Sequence, residues 1–266
     1  MDLRDSASAL GLHNYGVDPP GGELFGRFHS IVTEWMRGWG SGPTYIGFGG
    51  AGYSDKYVKF QGQTHSKLLK SNFDNVTSLS IAANPKGSDA PAYDSFAKSF
   101  LYYSNIDASH TPHELMAAVV VNEAFVEFHS DRYESLLRSM VELCPWGFGY
   151  GFSASVESRP ELYISGLANG KLSPGEYKSL CAWYAAPGAV RMTSLRDVHP
   201  YNLLNEAQLA SDVREGLTLR DFIRRRPECS LERITEYGLH LWRVPVEEVA
   251  LCKADLAGSP ILLNGG

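Results

Sequence analysis

Two histidines and a glutamate lie within five residues in the segment His110-Thr111-Pro112-His113-Glu114, and such side chains could bind a metal ion or transfer protons. Metalloproteases use the spacing HExxH, which places both imidazoles on one face of a helix. Here Pro112 lies between the histidines and no third ligand is evident, whereas a metal site needs a complete ligand set. We therefore expect a polar loop without a metal ion. A hydrolase that uses His110 or His113 is the alternative.

Asp197 and His199 are a second candidate for chemistry, because residues two apart on a strand share a face and a carboxylate can then orient an imidazole. Ser194 is close by in sequence. A catalytic triad is recognised by the spatial roles of its members, and no GxSxG turn supports one here. We expect these residues to serve helix entry or capping, again with a hydrolase as the alternative. The sequence thus predicts no catalytic residue and a protein that is not an enzyme.

The glycine-rich segment at residues 47–52, GFGGAG, matches the dinucleotide-binding pattern GxGxxG and follows a predicted strand. A dinucleotide site requires a helix directly after the glycines, so that the first amides of the helix bind the pyrophosphate. The sequence continues as YSDKYV, which is typical of a turn and a strand. We predict a glycine-rich turn and no cofactor.

Glycines and aromatic residues alternate in the segment Trp146–Phe152. One interpretation is a strand that packs its rings on one face while the glycines admit a neighbouring element on the other. The second is an aromatic surface that binds a partner, because tryptophan and tyrosine are enriched in interface hot spots. Trp146 and Tyr150 are therefore candidate partner-binding residues.

Acidic residues dominate the stretch from Asp107 to Glu142, where seven carboxylates stand against only Arg132 and Arg138. Such a surface could attract a basic partner and raise its association rate, or it could be an ordinary solvated face. The candidate partner-binding residues of this stretch are Glu123, Glu127, Asp131 and Glu134.

The composition of the 266 residues is that of a globular protein, with 44% hydrophobic residues and a net charge of −6. The acidic balance argues against direct nucleic-acid binding. No apolar run approaches the ~20 residues that cross a bilayer, and we expect a cytoplasmic location without membrane contact. The four cysteines contain no CxxC pair, so we expect no zinc but reduced, buried thiols.

Helical and strand patterns alternate along the chain, which predicts an α+β fold with mixed or antiparallel sheets packed against helices. Residues 1–22 are predicted to be a polar lead-in that ends in turns. Residues 23–160 and 161–266 are predicted to be two similar α+β halves, the second richer in helices, or else one continuous domain. Leu115–Phe128 is predicted to be one long strand. A helix from Pro174 is predicted to bury Tyr177, Leu180, Cys181 and Tyr184.

Several segments together resemble the immunity protein 52 group, which is encoded beside polymorphic or type VI-secreted toxins of bacteria. They are the aromatic strand Trp146–Phe152 and the motifs SPGEY, LRDVHPYNLL, GLTLRDFI and GLHLWRV, within residues 90–263. The resemblance implies a cytoplasmic antitoxin that binds and neutralises one cognate effector, for example a DNase, by covering its active site or preventing its assembly. It assigns no binding residue.

Overall fold

The computed structural model describes residues 4–16, 18, 20–38, 42–53, 56–83, 102–108, 114–166 and 174–263. Its strands are β1 Ser6–Tyr15, β2 Tyr45–Gly50, β3 Lys56–Lys59, β4 Val76–Ala83, β5 Tyr102–Asp107, β6 Glu114–Asn122, β7 Phe148–Ser155, β8 Tyr201–Leu204, β9 Asp212–Arg214, β10 Leu217–Thr218, β11 Ser230–Arg233 and β12 His240–Arg243. Its α-helices are α1 Gly22–Arg37, α2 Gln63–Lys70, α3 Asp131–Val141, α4 Pro160–Ser165, α5 Pro174–Ala185, α6 Gly188–Arg191, α7 Glu206–Ala210, α8 Leu219–Arg224 and α9 Val249–Leu256.

Ten of these strands form one antiparallel sheet in the order β11-β12-β8-β7-β1-β6-β5-β4-β2-β3. The sheet is continuous across residue 160, because β7 pairs with β1 on one side and with β8 on the other. Strands β9 and β10 form a separate ribbon. The predicted α+β class with an antiparallel sheet and packed helices is confirmed, and the division into two halves stays a prediction.

Strand β1 is central in this sheet, so the predicted polar lead-in over residues 1–22 is wrong. Leu10 pairs with Val119 of β6 on one side and with Gly151 of β7 on the other. Helices cover both faces of β1, so its serine, alanine and glycine residues are buried. The strand therefore shows no alternation of apolar and polar residues. The small side chains also permit close packing, since a Cβ atom on Gly11 would lie 2.9 Å from Ile164.

The two faces of the sheet carry separate cores. Helices α1, α2 and α3 cover one face, where Phe25, Phe28 and Leu136 share one apolar core with alternate residues of β1 and β6. The opposite face packs against α4 and α5 through Ile164 and Trp183. A third core joins the helices α7–α9 to β8 and β12. Within the described residues, no helix is both long and apolar enough to span a membrane.

Two local predictions differ from the structure. The strand predicted over Leu115–Phe128 ends at Asn122, because the Asn122 side chain accepts a hydrogen bond from the Ala124 amide and turns the chain. Helix α5 buries Leu180 and Trp183, while Tyr177 and Tyr184 remain 53% and 41% exposed. The apolar residues of α5 itself are distributed around nearly the whole helix, so their periodicity could not indicate which face is buried.

We expect Asn205→Ala to lower the free energy of unfolding by about 2–3 kcal/mol, which urea denaturation would measure. The Asn205 side chain accepts from the Gln208 amide at 2.8 Å and so caps α7, and its Nδ2 donates to the carbonyls of Gly147 and Met192. Asn205→Ser is the matched control, because its hydroxyl keeps a capping acceptor and places no charge against the two carbonyls, so it should lose less. An Asn205→Ala protein within about 0.5 kcal/mol of wild type would contradict this role.

Candidate partner-binding surface

The four acidic candidates, Glu123, Glu127, Asp131 and Glu134, lie in the segment that leads from the end of β6 into α3, and we call them the acidic edge. Three contacts fix this segment. The Glu123 amide donates to the carbonyl of Ser6 at the start of β1, at 3.1 Å. Ser130 caps α3 by accepting from the Tyr133 amide, and its hydroxyl donates to the Glu127 carbonyl. Asp131 is the first residue of this helix.

The carboxylates of the acidic edge differ in how far they are neutralised. Glu134 is bound by Arg243, with an Nη2–Oε2 distance of 3.2 Å. Glu127 pairs with Arg4 at 3.2 Å, but its side chain is 68% exposed. Glu123 accepts from the hydroxyls of Ser6, Ser8 and Ser153. In the described residues, Glu123 and Asp131 have no cation within 4.0 Å, so the edge keeps a net negative charge.

His129 and Tyr201 adjoin the acidic edge, and the sequence analysis missed both. His129 is exposed, has φ +65°, and its Nδ1 lies 3.0 Å from the Tyr201 hydroxyl. Desolvation lowers the pKa of His129, whereas the charges of Glu134, Glu123 and Glu247 raise it. Tyr201 comes from β8, far away in sequence, so no local pattern could have indicated this neighbour.

Trp146 and Tyr150 are core residues, each 3% exposed, and a partner cannot reach them on the folded chain. The Trp146 indole donates to the Met140 carbonyl at 2.8 Å. The Tyr150 hydroxyl accepts from Arg196 at 2.9 Å. The prediction that these two bind a partner is therefore corrected, because helices cover both faces of the sheet here. The alternative interpretation, a strand that packs its rings, describes β7.

The described residues contain one of the two candidate catalytic regions, Asp197 with His199. His110 and His113 lie outside the described residues. The Asp197 carboxylate binds Lys253 at 2.6 Å, and the His199 Nε2 lies 3.2 Å from the Tyr163 hydroxyl. Burial lowers the pKa of His199 to about 4. Both residues lie in the turn before β8 and not at a helix, which corrects the predicted capping role.

Only the last two residues of the glycine-rich segment form the predicted turn. Residues 47–50 belong to β2, residues 51 and 52 form a turn, and the next described element is β3. Gly50 has φ +143°, and a Cβ atom there would lie 1.9 Å from the Asn75 carbonyl oxygen. Glycine at position 50 therefore permits the close approach of the backbone at Asn75.

The half-buried His29 and the buried His65 form an imidazole pair that the sequence did not indicate, with 3.0 Å between their Nε2 atoms. The Gln61 amide donates to His65 Nδ1 at 2.9 Å, so the His65 proton must reside on Nε2 and point at His29. A protonated Nε2 has no free lone pair for a metal ion. The His65 Nε2–H group therefore donates a hydrogen bond to the His29 Nε2 atom. Among the described residues, no group of three or more His, Cys, Asp or Glu side chains could hold a metal ion.

The fold is similar to that of a solved protein from Pseudomonas aeruginosa, the T6SS protein PA0821, where T6SS denotes the type VI secretion system. The TM-score is 0.62 with 14% sequence identity, and the match covers 98% of this chain and 76% of that one. The sequence matches no family model and no curated protein. At this identity the likeness shows a shared fold, along nearly the whole chain.

Proposed function

We propose that this chain is an immunity protein that binds a cognate toxin effector of a type VI secretion system and neutralises it without catalysis. The observation that carries the proposal is the fold shared with a T6SS protein over 98% of the chain. The resemblance of the aromatic strand and the C-terminal motifs to the immunity protein 52 group supports it. The separate engagement of Asp197 by Lys253 and of His199 by Tyr163 favours a binding protein over a hydrolase.

The acidic edge is the surface that we propose for the toxin. Glu127 and Asp131 are exposed, and the bonds of Ser130 hold their backbone in one conformation before any partner arrives. Preorganised charges cost little entropy on binding. A nuclease, for example a DNase, has a basic surface that binds phosphates, and carboxylates could occupy that surface instead. The chain would then contact the toxin in the cytoplasm, without touching nucleic acid and without a cofactor.

Charge reversal at the acidic edge tests this contact. We expect the double variant Glu127→Lys/Asp131→Lys to weaken the complex with the toxin encoded beside this gene by at least about tenfold in Kd, as calorimetric titration would measure. Most of the difference in affinity between wild type and the double variant should vanish at high salt, because salt screens exposed charges.

Asp212→Lys/Glu215→Lys is the matched control, because it also reverses two charges and both residues are exposed at the β9–β10 ribbon, outside the acidic edge. Its affinity should remain that of wild type. Equal losses in the control and the double variant would show an effect of net charge alone. Unchanged affinity in both would remove the acidic edge as the contact and leave the immunity function to be located elsewhere.

A further inference from the structure

Two of the four cysteines are neighbours in the C-terminal core. Cys229 immediately precedes β11 and Cys252 lies within α9. The two thiols are close enough for a side-chain hydrogen bond between them. Both belong to the same apolar cluster, where Cys252 is buried and Cys229 is half-buried. By contrast, Cys144 packs against the core of α1–α3, and Cys181 is exposed on α5. Cys229 and Cys252 are thus placed as a pair, although their sequence spacing does not indicate one.

An ion pair holds the two backbone segments that carry these cysteines. The Arg226 guanidinium binds the Asp255 carboxylate of α9 and lies 3.6 Å from Glu228. Arg226 stands three residues before Cys229, and Asp255 stands three residues after Cys252. The Cys229 amide also donates to the Arg226 carbonyl at 3.1 Å. These contacts therefore hold the turn before β11 beside the helix α9, close to the two thiols.

A cavity of about 300 Å³ opens beside Cys229, and basic side chains line it. Arg220, Arg224 and Arg226 contribute three guanidinium groups, and His240 contributes an imidazole. Glu206 and Asp255 neutralise Arg220 and Arg226, whereas Arg224 forms no ion pair with any described residue. An anionic small molecule can therefore approach Cys229 from solvent, while Cys252 lies behind it in the core.

We propose that Cys229 and Cys252 are a redox-sensitive pair, which an anionic disulfide of low molecular mass oxidises to an intramolecular disulfide that links α9 to the turn before β11. The Cys229 thiolate attacks the small disulfide, forms a mixed disulfide and releases one thiol. The Cys252 thiolate then attacks the Cys229 sulfur and releases the second thiol. The two cysteine protons leave on the released thiols, so the small disulfide is reduced as the protein pair is oxidised.

The reaction is expected to be slow at neutral pH. Burial raises the pKa of Cys229 and raises that of Cys252 to about 12, so little thiolate is present. The rate should increase with pH, because the thiolate is the nucleophile. The disulfide would restrict the unfolded chain and so raise the Tm by about 5–10 °C.

The experiment is oxidation of the folded full chain by oxidised glutathione at alkaline pH, followed by intact mass, peptide mapping and thermal unfolding. We expect the wild type to yield one peptide linked through Cys229 and Cys252, to show a raised Tm that a reductant reverses, and to carry glutathione at most on the exposed Cys181. Cys181→Ser should show the same link and the same Tm, should lose two hydrogens and should gain no glutathione. Cys229→Ser, which keeps the buried Cys252 thiol in place, should show neither the link nor the shift. A wild-type chain that gains only glutathione mass, or that stays unmodified, would overturn the pair.

Discussion

Acidification from pH 7 to pH 4 is expected to unfold this protein. Burial lowers the pKa of His13 to about 3, and that of His29 and His199 to about 4, all from 6.5. At a pH between these values and 6.5, the three imidazoles are protonated in the unfolded chain but remain neutral in the folded chain. The stabilisation is therefore complete above pH 6.5 and is lost progressively as the pH falls toward 4.

The loss of stability is large because the contributions of the separate histidines add. His13 and His199 are only 4% and 8% exposed, and each costs about 1.4 kcal/mol of stability per pH unit within the window. Together they remove about 5–6 kcal/mol between pH 6.5 and pH 4, which is comparable to the whole stability of a marginally stable domain. His29, which is less buried, adds to this loss. Protonation of His13 is especially unfavourable, because its Nδ1 has no acceptor within the described residues and Arg191 and Arg196 are near.

Urea denaturation at pH 7, 6 and 5 measures this dependence. The wild-type midpoint should fall steeply with pH, and His199→Gln should flatten the fall because one titrating group is gone. His129→Gln is the control and should flatten the fall less than His199→Gln does, because the charges of Glu134, Glu123 and Glu247 offset part of the desolvation that lowers the pKa of this exposed imidazole. Wild-type midpoints that stay constant down to pH 4.5 would show that these imidazoles are not held neutral.

Gly149→Ala is expected to cost about 3 kcal/mol or more, because the extra methyl group overpacks the centre of the sheet. A Cβ atom on Gly149 would lie 2.6 Å from the Gly11 carbonyl oxygen and 2.7 Å from a methyl group of Leu12. The Gly11 oxygen belongs to the backbone of the neighbouring strand β1, so a rotamer change cannot relieve the contact. The strands β7 and β1 would have to separate, with loss of ladder hydrogen bonds.

The matched control is Gly42→Ala, because a Cβ atom there meets no atom within 4 Å. Its urea midpoint should remain close to that of wild type. Equal midpoints for Gly149→Ala and wild type would contradict the close approach of β7 and β1 that the fold requires.

How much of this architecture the sequence could predict depends on whether the pattern is local. The alternation of glycines with rings in β7 and the start of α5 at Pro174 are local, and both elements were predicted. Strand β1 was missed because its side chains are short and buried on both faces, which leaves no alternation to recognise. The turn after Asn122 was missed because it depends on a side-chain hydrogen bond and not on a glycine or proline.

The same distinction applies to the candidate surface. The acidic residues are close in sequence, so their proximity could be predicted. The neutralisation of Glu134 by Arg243, more than a hundred residues later, could not, and neither could the contact of His129 with Tyr201. Trp146 and Tyr150 were candidates for the surface because aromatic residues serve cores and interfaces alike, and only the tertiary packing separates the two roles.

The most direct test of the central claim is co-expression of this chain with the toxin encoded beside it, with growth measured and the complex recovered by affinity pull-down. The proposal predicts that wild-type chain restores growth and elutes with the toxin as a stoichiometric complex. A folded chain that neither restores growth nor binds the toxin would contradict the immunity function.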